Sequence, residues 1–263
     1  MYTKENLWQN LVDLGLKRDD TVMIHSSIKA IGPVEGGVDT VLDVLMEYFG
    51  ETGLLLMPTH TWQWMEHPLD LFDPDEMPSC VGFLTEQFRK RPGVLRSLHP
   101  THSIGAYGPR AAEYIQGEET IQTPCGAGGC WAKLSDWNAK VIFLGCPVAK
   151  NTFLHGVEEK KDVPNRLTAQ PVEFRMKMPD GTIKTCKVKR HYCSEYPDIS
   201  KFYGKVMPAF LKKGIAEQGK FGDAVTVVAD AKGMEQLTLE FLDRNIDLFL
   251  GDQPVPESWY EKA

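Results

Sequence analysis

Two apolar runs separated by one amphipathic stretch constrain this chain more than any other feature. "TVMIHSS" at 21–27 and "LLLMPTHTW" from Leu54 are short and continuously apolar before they turn polar, as strands covered on both faces are. Between them, "VDTVLDVLMEYFG" places apolar residues at 41, 42, 44, 45, 48 and 49, which is helical spacing. A strand, a helix and a strand in direct succession predict a βαβ unit with parallel pairing and a right-handed crossover.

The rest of the chain extends this plan. A third buried strand is predicted at "KVIFLGCP", and helices at "MYTKENLWQNLVDLGL", "VGFLTEQFRKRP", "FYGKVMPAFLKKG" and "MEQLTLEFLDRNIDLFLG", with a further strand at "AVTVVAD". "VEFRMKMPDGTIKTCKVKRHY" alternates on either side of "PDG", a hairpin turn signal. The expected fold class is α/β: a central mixed, largely parallel sheet flanked by helices, with a small antiparallel β hairpin in the C-terminal half. No repeat or Pro/Ser/Gly linker divides the chain, so residues 1–263 are expected to form a single domain.

Composition excludes several classes. Apolar residues make up 42% of the chain, and none of the apolar runs is long enough to cross a bilayer, so no membrane partner is expected. The N-terminal stretch alternates polar and apolar residues without the continuous apolar core of a signal peptide, which predicts a cytoplasmic location. A net charge of −7 disfavours nucleic acid and suits a cationic small molecule. The 6 cysteines include no CxxC pair and no zinc spacing, so reduced thiols and no metal are expected, Cys125 and Cys130 included.

There is no phosphate loop, GxSxG elbow or HExxH helix. Polar residues gather instead at the ends of expected strands: His25-Ser26-Ser27, Thr59-His60-Thr61, Arg96-Ser97 with His99 and His102, and Asn151-Thr152 with His155. A helix capped by Asn151 would put His155 on one face with Thr152, Glu158 and Glu159. A neutral imidazole there is a natural acceptor for a proton leaving an amine, given a carboxylate to fix its tautomer. The alternative is a satisfied histidine on an amphipathic helix.

Taken in order, "MIHSSIKAIGPVEGGVDTVLDVL", "LLLMPTHTW", "FLTEQFRKRPGVLRSLHPTHSIGAYG", "WAKL" and "KVIFLGCPVAKNTFLHGVEEK" resemble the aminoglycoside 3-N-acetyltransferase family over residues from about 1 to 250. That family has its own α/β fold and transfers acetyl from acetyl-coenzyme A to an amino group of 2-deoxystreptamine antibiotics. The resemblance implies that His155 is the general base and Glu86 the carboxylate orienting it. It implies that His25, Ser26, Ser27, Arg96, Ser97, His99 and Ser103 line the coenzyme cleft. The loop "TPCGAGGCWAKL" departs from the family pattern, with Cys130 where a proline is common.

Direct attack in a ternary complex then needs His155 to take the proton, Glu86 to steady the imidazolium, and backbone N–H groups at a strand-to-helix turn to bind the oxyanion. Thr152, Glu158, Glu159 and Asp162 are the candidate contacts for a polycationic acceptor. Three alternatives remain: an acetyltransferase for another amine-bearing metabolite, a serine hydrolase using Ser26 or Ser27 with His155 and Glu86, and a non-catalytic coenzyme-binding protein.

Overall fold

A computed structural model describes residues 1–261. Among the described residues ten strands form two sheets: β1 (Thr21–Ser26), β2 (Leu54–Pro58), β3 (Leu71–Phe72), β4 (Leu95–Arg96), β5 (Ile104–Tyr107), β6 (Lys140–Leu144), β7 (Val172–Lys177), β8 (Ile183–Val188), β9 (Ala216–Phe221) and β10 (Ala224–Asp230). The larger sheet runs β4-β5-β2-β1-β6-β10-β9, and the smaller β3-β7-β8. In the larger one, β1 pairs in parallel with both β2 and β6, while the outer pairings are antiparallel. The sheet is therefore mixed, with a parallel centre.

The helices are α1 (Lys4–Asp13), α2 (Gly37–Phe49), α3 (Phe83–Phe88), α4 (Ala111–Ile115), α5 (Lys133–Asp136), α6 (Phe153–Lys160), α7 (Met207–Lys212) and α8 (Ala231–Arg244). The six apolar positions expected in α2 are all buried. Its face packs on one side of the sheet with Val22, Ile24, Leu55, Met57, Ile142 and Leu144. The alternate residues Met23, Leu54, Leu56, Val141 and Phe143 enter a second core on the opposite side, with α5, α6 and α8. Strands covered on both faces explain why β1, β2 and β6 read as unbroken apolar runs rather than as an alternation.

The "PDG" hairpin forms as β7 and β8, and β7 also pairs in parallel with β3 to make a small sheet over Met65, Phe72 and Phe174. The helix expected over 202–214 is a 3-10 stretch, Ile199–Val206, followed by α7, because Pro208 lacks the N–H that would carry an α-helix across the join. The strand β9, "AEQGKF", carries mostly exposed polar side chains at the sheet edge, so hydrophobic patterning did not mark it.

Leu55 is fully buried in β2. Leu55→Ala should cost about 2–5 kcal/mol of unfolding free energy, seen as a lower urea midpoint with an unchanged slope. A loss below ~1 kcal/mol would mean that this face of the sheet is not the core.

Candidate active site

The three parallel strands end at one place. Their carboxyl ends deliver His25, Ser26 and Ser27 from β1, Pro58 and His60 from β2, and Cys146 and Pro147 from β6 into a cavity of about 900 Å³. This is where ligands sit in open α/β sheets, beside a strand whose neighbours lie on opposite sides. Gly145 makes the turn out of β6 possible: its φ is +65°, and a Cβ there would come within 2.4 Å of the Ala30 Cβ.

His155 lies on α6 at the cavity wall. Its Nδ1 is 2.6 Å from the hydroxyl of Tyr203, and that hydroxyl donates in turn to Glu158 Oε2. Arg166 Nε donates to the other Glu158 oxygen at 2.5 Å. With Glu158 ionised, the Tyr203 proton goes to the carboxylate and the phenol oxygen accepts from Nδ1–H. His155 Nε2 is then left with its lone pair. Burial, with contributions from His60 and Arg166, lowers the pKa of His155 to about 3, so the ring is neutral near pH 7. His191 stacks on it with ring centroids 4.0 Å apart.

Further histidines extend the wall. His25 lies between Phe143 and Trp131, with centroids at 5.4 and 5.9 Å, and burial lowers its pKa to about 3. His60 and His102 are 4.5 Å apart and burial holds both neutral. The Nε2 atoms of His25 and His60 have no hydrogen-bond partner among the described residues.

Several expected site residues have other work. Glu86 does not reach His155: its carboxylate is taken by Arg89, by Lys90 and by the Ser79 backbone N–H at 2.7 Å. Burial pushes its pKa up, but these partners outweigh burial and leave it near 2. It fixes the loop whose next residues, Cys80 and Val81, line the cavity. Arg96 cannot grip a phosphate, because its guanidinium donates to the carbonyls of Thr59, Pro74 and Met77 and to Ser103 Oγ.

Ser97 Oγ accepts from the Ile104 N–H, Ser103 Oγ donates to Thr59 O, and His99 Nδ1 accepts from the N–H groups of Thr101 and His102. These three residues and Arg96 shape the loop that carries His102 and do not line the cavity. The Ser27 N–H, a candidate oxyanion donor, is bound to Leu144 O at 2.9 Å.

Thr152 lines the cavity, but the three acidic candidates do not. Glu158 is buried in the relay. Glu159 turns to the Cys125 N–H, and burial raises its pKa to about 7. Asp162 is exposed on a left-handed turn, φ +54°, beyond α6. Asn151 does not cap α6; it is buried, with its amide against the Met234 sulfur. Neither Ser26 nor Ser27 hydrogen-bonds His155, so the nucleophile–base contact of a serine hydrolase is missing among the described residues.

Cys125 and Cys130 are free and buried. Cys125 Sγ, a Glu159 oxygen and a His191 nitrogen lie within 4.8 Å of one another, the one grouping of metal-ligand type among the described residues. The thiol donates to Thr152 O and burial pushes its pKa well up, so the thiolate a metal needs is disfavoured.

A sequence profile of the aminoglycoside 3-N-acetyltransferase family matches residues 23–243. The chain belongs to that family. It is similar to aminoglycoside N(3)-acetyltransferase IX of Micromonospora chalcea, 29% identical over 93% of this chain and 94% of that one. A structure of AAC-IIIb with coenzyme A superposes with a TM-score of 0.81 at 25% identity, covering 97% of this chain and 99% of that one. AAC-VIa bound to sisomicin gives 0.79 at 26% identity over 92% and 98%. This membership makes the chain an acetyl-coenzyme A-dependent acetyltransferase of the aminoglycoside type.

Sequence reasoning missed Tyr203, Arg166 and His191. His191 lies in the stretch "KTCKVKRHYC", whose basic residues give it the pattern of a solvated strand face. It is carried past the end of β8, where Tyr192 N–H bonds Arg166 O at 3.0 Å, and this strap lays both residues against α6.

Six histidines, His25, His60, His99, His102, His155 and His191, have pKa values below the ordinary 6.5 because burial penalises their charge. Above pH 6.5 they carry no linkage cost. Below it the unfolded chain binds protons the fold refuses, so each removes roughly 1.4 kcal/mol of stability per pH unit until its folded pKa is reached. Glu159 acts with the opposite sign between 4.5 and about 7, and Glu118 and Glu158, also raised by burial, act with it, three groups against six. Unfolding free energy should therefore drop by several kcal/mol from pH 7 to pH 5; urea titrations giving a flat profile would contradict the buried neutral cluster.

Proposed function

We propose that the chain moves the acetyl group of acetyl-coenzyme A to the 3-amino group of a 2-deoxystreptamine aminoglycoside by direct attack, with His155 as general base. The observation that carries this is the Glu158–Tyr203–His155 relay, which leaves His155 Nε2 as an acceptor at the cavity wall. Two similar proteins hold the corresponding ligands, coenzyme A in AAC-IIIb and sisomicin in AAC-VIa. Lys150 and Arg190 line the cavity with no carboxylate partner among the described residues, which suits the phosphates of the co-substrate. We place the chain in the cytoplasm, where acetyl-coenzyme A is made and free thiols persist.

The neutral amine attacks the thioester carbonyl carbon, and its proton passes to His155 Nε2. The tetrahedral adduct collapses, the C–S bond breaks, and the proton goes on to the departing thiolate. The products are the amide and free coenzyme A thiol, with no covalent enzyme intermediate. Tyr203 and Glu158 favour the imidazolium during the interval when it exists.

His155→Ala should lower acetyl transfer by about a hundred- to ten-thousand-fold while calorimetry shows coenzyme affinity unchanged. Tyr203→Phe should lower turnover by a smaller factor and move the pH profile, again without loss of coenzyme affinity. A His155→Ala enzyme that turns over normally but no longer binds coenzyme would make the histidine a binding residue and refute this assignment.

A further inference from the structure

We infer that His102 is a second catalytic residue, whose Nε2–H donates to the thioester carbonyl oxygen and holds the oxyanion that forms there when the amine attacks. This rests on the acetyltransferase reading and supplies the group that reading lacks. Direct attack puts negative charge on that oxygen, and a donor fixed in place beforehand stabilises it most. Backbone N–H groups around the cavity are already bonded: Ser27 to Leu144 O, Cys80 to His60 O, Thr152 to Lys150 O and His102 to His99 Nδ1. The hydroxyls of Ser26 and Ser27 line the cavity but rotate, so neither is a fixed donor.

The bonds around His102 assign its proton. His99 Nε2 lies 3.1 Å from Thr123 O, which only accepts, so that nitrogen carries the hydrogen and Nδ1 the lone pair. The N–H groups of His102 and Thr101 occupy that lone pair at 2.9 and 3.2 Å. The Thr101 hydroxyl is 3.4 Å from the filled His99 Nδ1 and 2.9 Å from His102 Nδ1, so it donates to His102. His102 Nδ1 is therefore an acceptor, and in the neutral ring Nε2 bears the hydrogen. That N–H has no partner among the described residues, and the residue lines the cavity. The Trp131 indole holds the backbone in place by donating to His102 O at 3.0 Å. His60, with its ring 4.5 Å away, has no bond among the described residues that fixes either nitrogen.

His102 also stands where the reaction occurs. The His191 ring touches both partners, with centroids 4.0 Å from His155 and 4.8 Å from His102. Base and donor thus belong to one patch of wall, and a carbonyl over that patch can have its attacking nitrogen on His155 Nε2 and its oxygen on His102 Nε2. On attack the carbonyl π pair moves onto oxygen, and His102 donates a hydrogen bond without giving up its proton. On collapse the pair returns, the C–S bond breaks, and the thiolate takes the proton held by His155.

The test compares three variants. His102→Phe removes the donor, His102→Gln places an amide N–H about where Nε2–H was, and Thr101→Val removes the hydroxyl that sets the tautomer. Thiol release with sisomicin gives kcat and KM, and infrared spectra of bound acetyl-coenzyme A carrying carbon-13 at the carbonyl report on the bond itself. His102→Phe should lower kcat by about a hundred- to thousandfold, with KM and calorimetric coenzyme affinity nearly unchanged, and move the carbonyl band to higher frequency. His102→Gln should recover most of both, and Thr101→Val should lower kcat by a smaller factor. A His102→Phe enzyme with normal kcat, or with low kcat and an unmoved band, overturns the inference and leaves the transferase reading intact. If His102→Phe does not fold, the other two decide: a folded His102→Gln enzyme with the band of the unaltered protein and a slowed Thr101→Val enzyme support the donor, and any other result overturns it. Absence of thiol release from the unaltered chain with every aminoglycoside would overturn the transferase reading and this inference with it.

Discussion

The parallel alignment of β2, β1 and β6 is the constraint on which the rest of the structure depends. Parallel strands require crossovers, crossovers put helices on both faces, and both faces must then be apolar. The polar work of the molecule is consequently driven to the strand ends. Because all three strands end on the same side, their first residues beyond the sheet converge, and β1 brings His25, Ser26 and Ser27 to the centre of that convergence. Antiparallel strands flank this centre, β5 and β4 on one side and β10 and β9 on the other.

What was legible in the sequence follows from this constraint. The continuous apolar strands and the face of α2 are local patterns, and they could be read because burial on both sides leaves a signature within each segment. The hairpin around "PDG" was legible for a different local reason, a turn signal between two alternating runs. The relay partner of His155 was not. Glu86 and Glu158 are equally good carboxylates on paper, and only the packing of Ile199–Val206 against Val148–Lys150 brings Tyr203 between Glu158 and the ring. A tyrosine 48 residues away leaves no trace near His155.

The segment from Arg96 to Ser103 shows the converse error. Its arginine, serines and His99 look like ligand-binding groups, yet a buried loop must satisfy its own backbone, and these side chains do that. Arg96 alone serves the carbonyls of Thr59, Pro74 and Met77. Polar residues in a tight loop are therefore ambiguous between holding a ligand and holding the loop. The number of carbonyls lacking sheet partners decides between the two, and that number depends on tertiary structure.

Burial sets the chemistry of His155 as well as its protonation. A ring whose pKa is lowered to about 3 is a poor base by solution standards, but the same dry environment penalises the ammonium form of a bound amine. In the proposed transfer the proton passes between two groups that are both disfavoured as cations, and the one that gains a fixed counter-charge prevails. Glu158 supplies that charge through Tyr203, at 4.0 Å from His155 Nδ1 rather than in contact. Burial raises the pKa of Glu158, and the Arg166 guanidinium opposes that rise by favouring the carboxylate form. The phenol lets the carboxylate favour imidazolium while keeping Nδ1–H committed, so Nε2 is the nitrogen left to accept the proton.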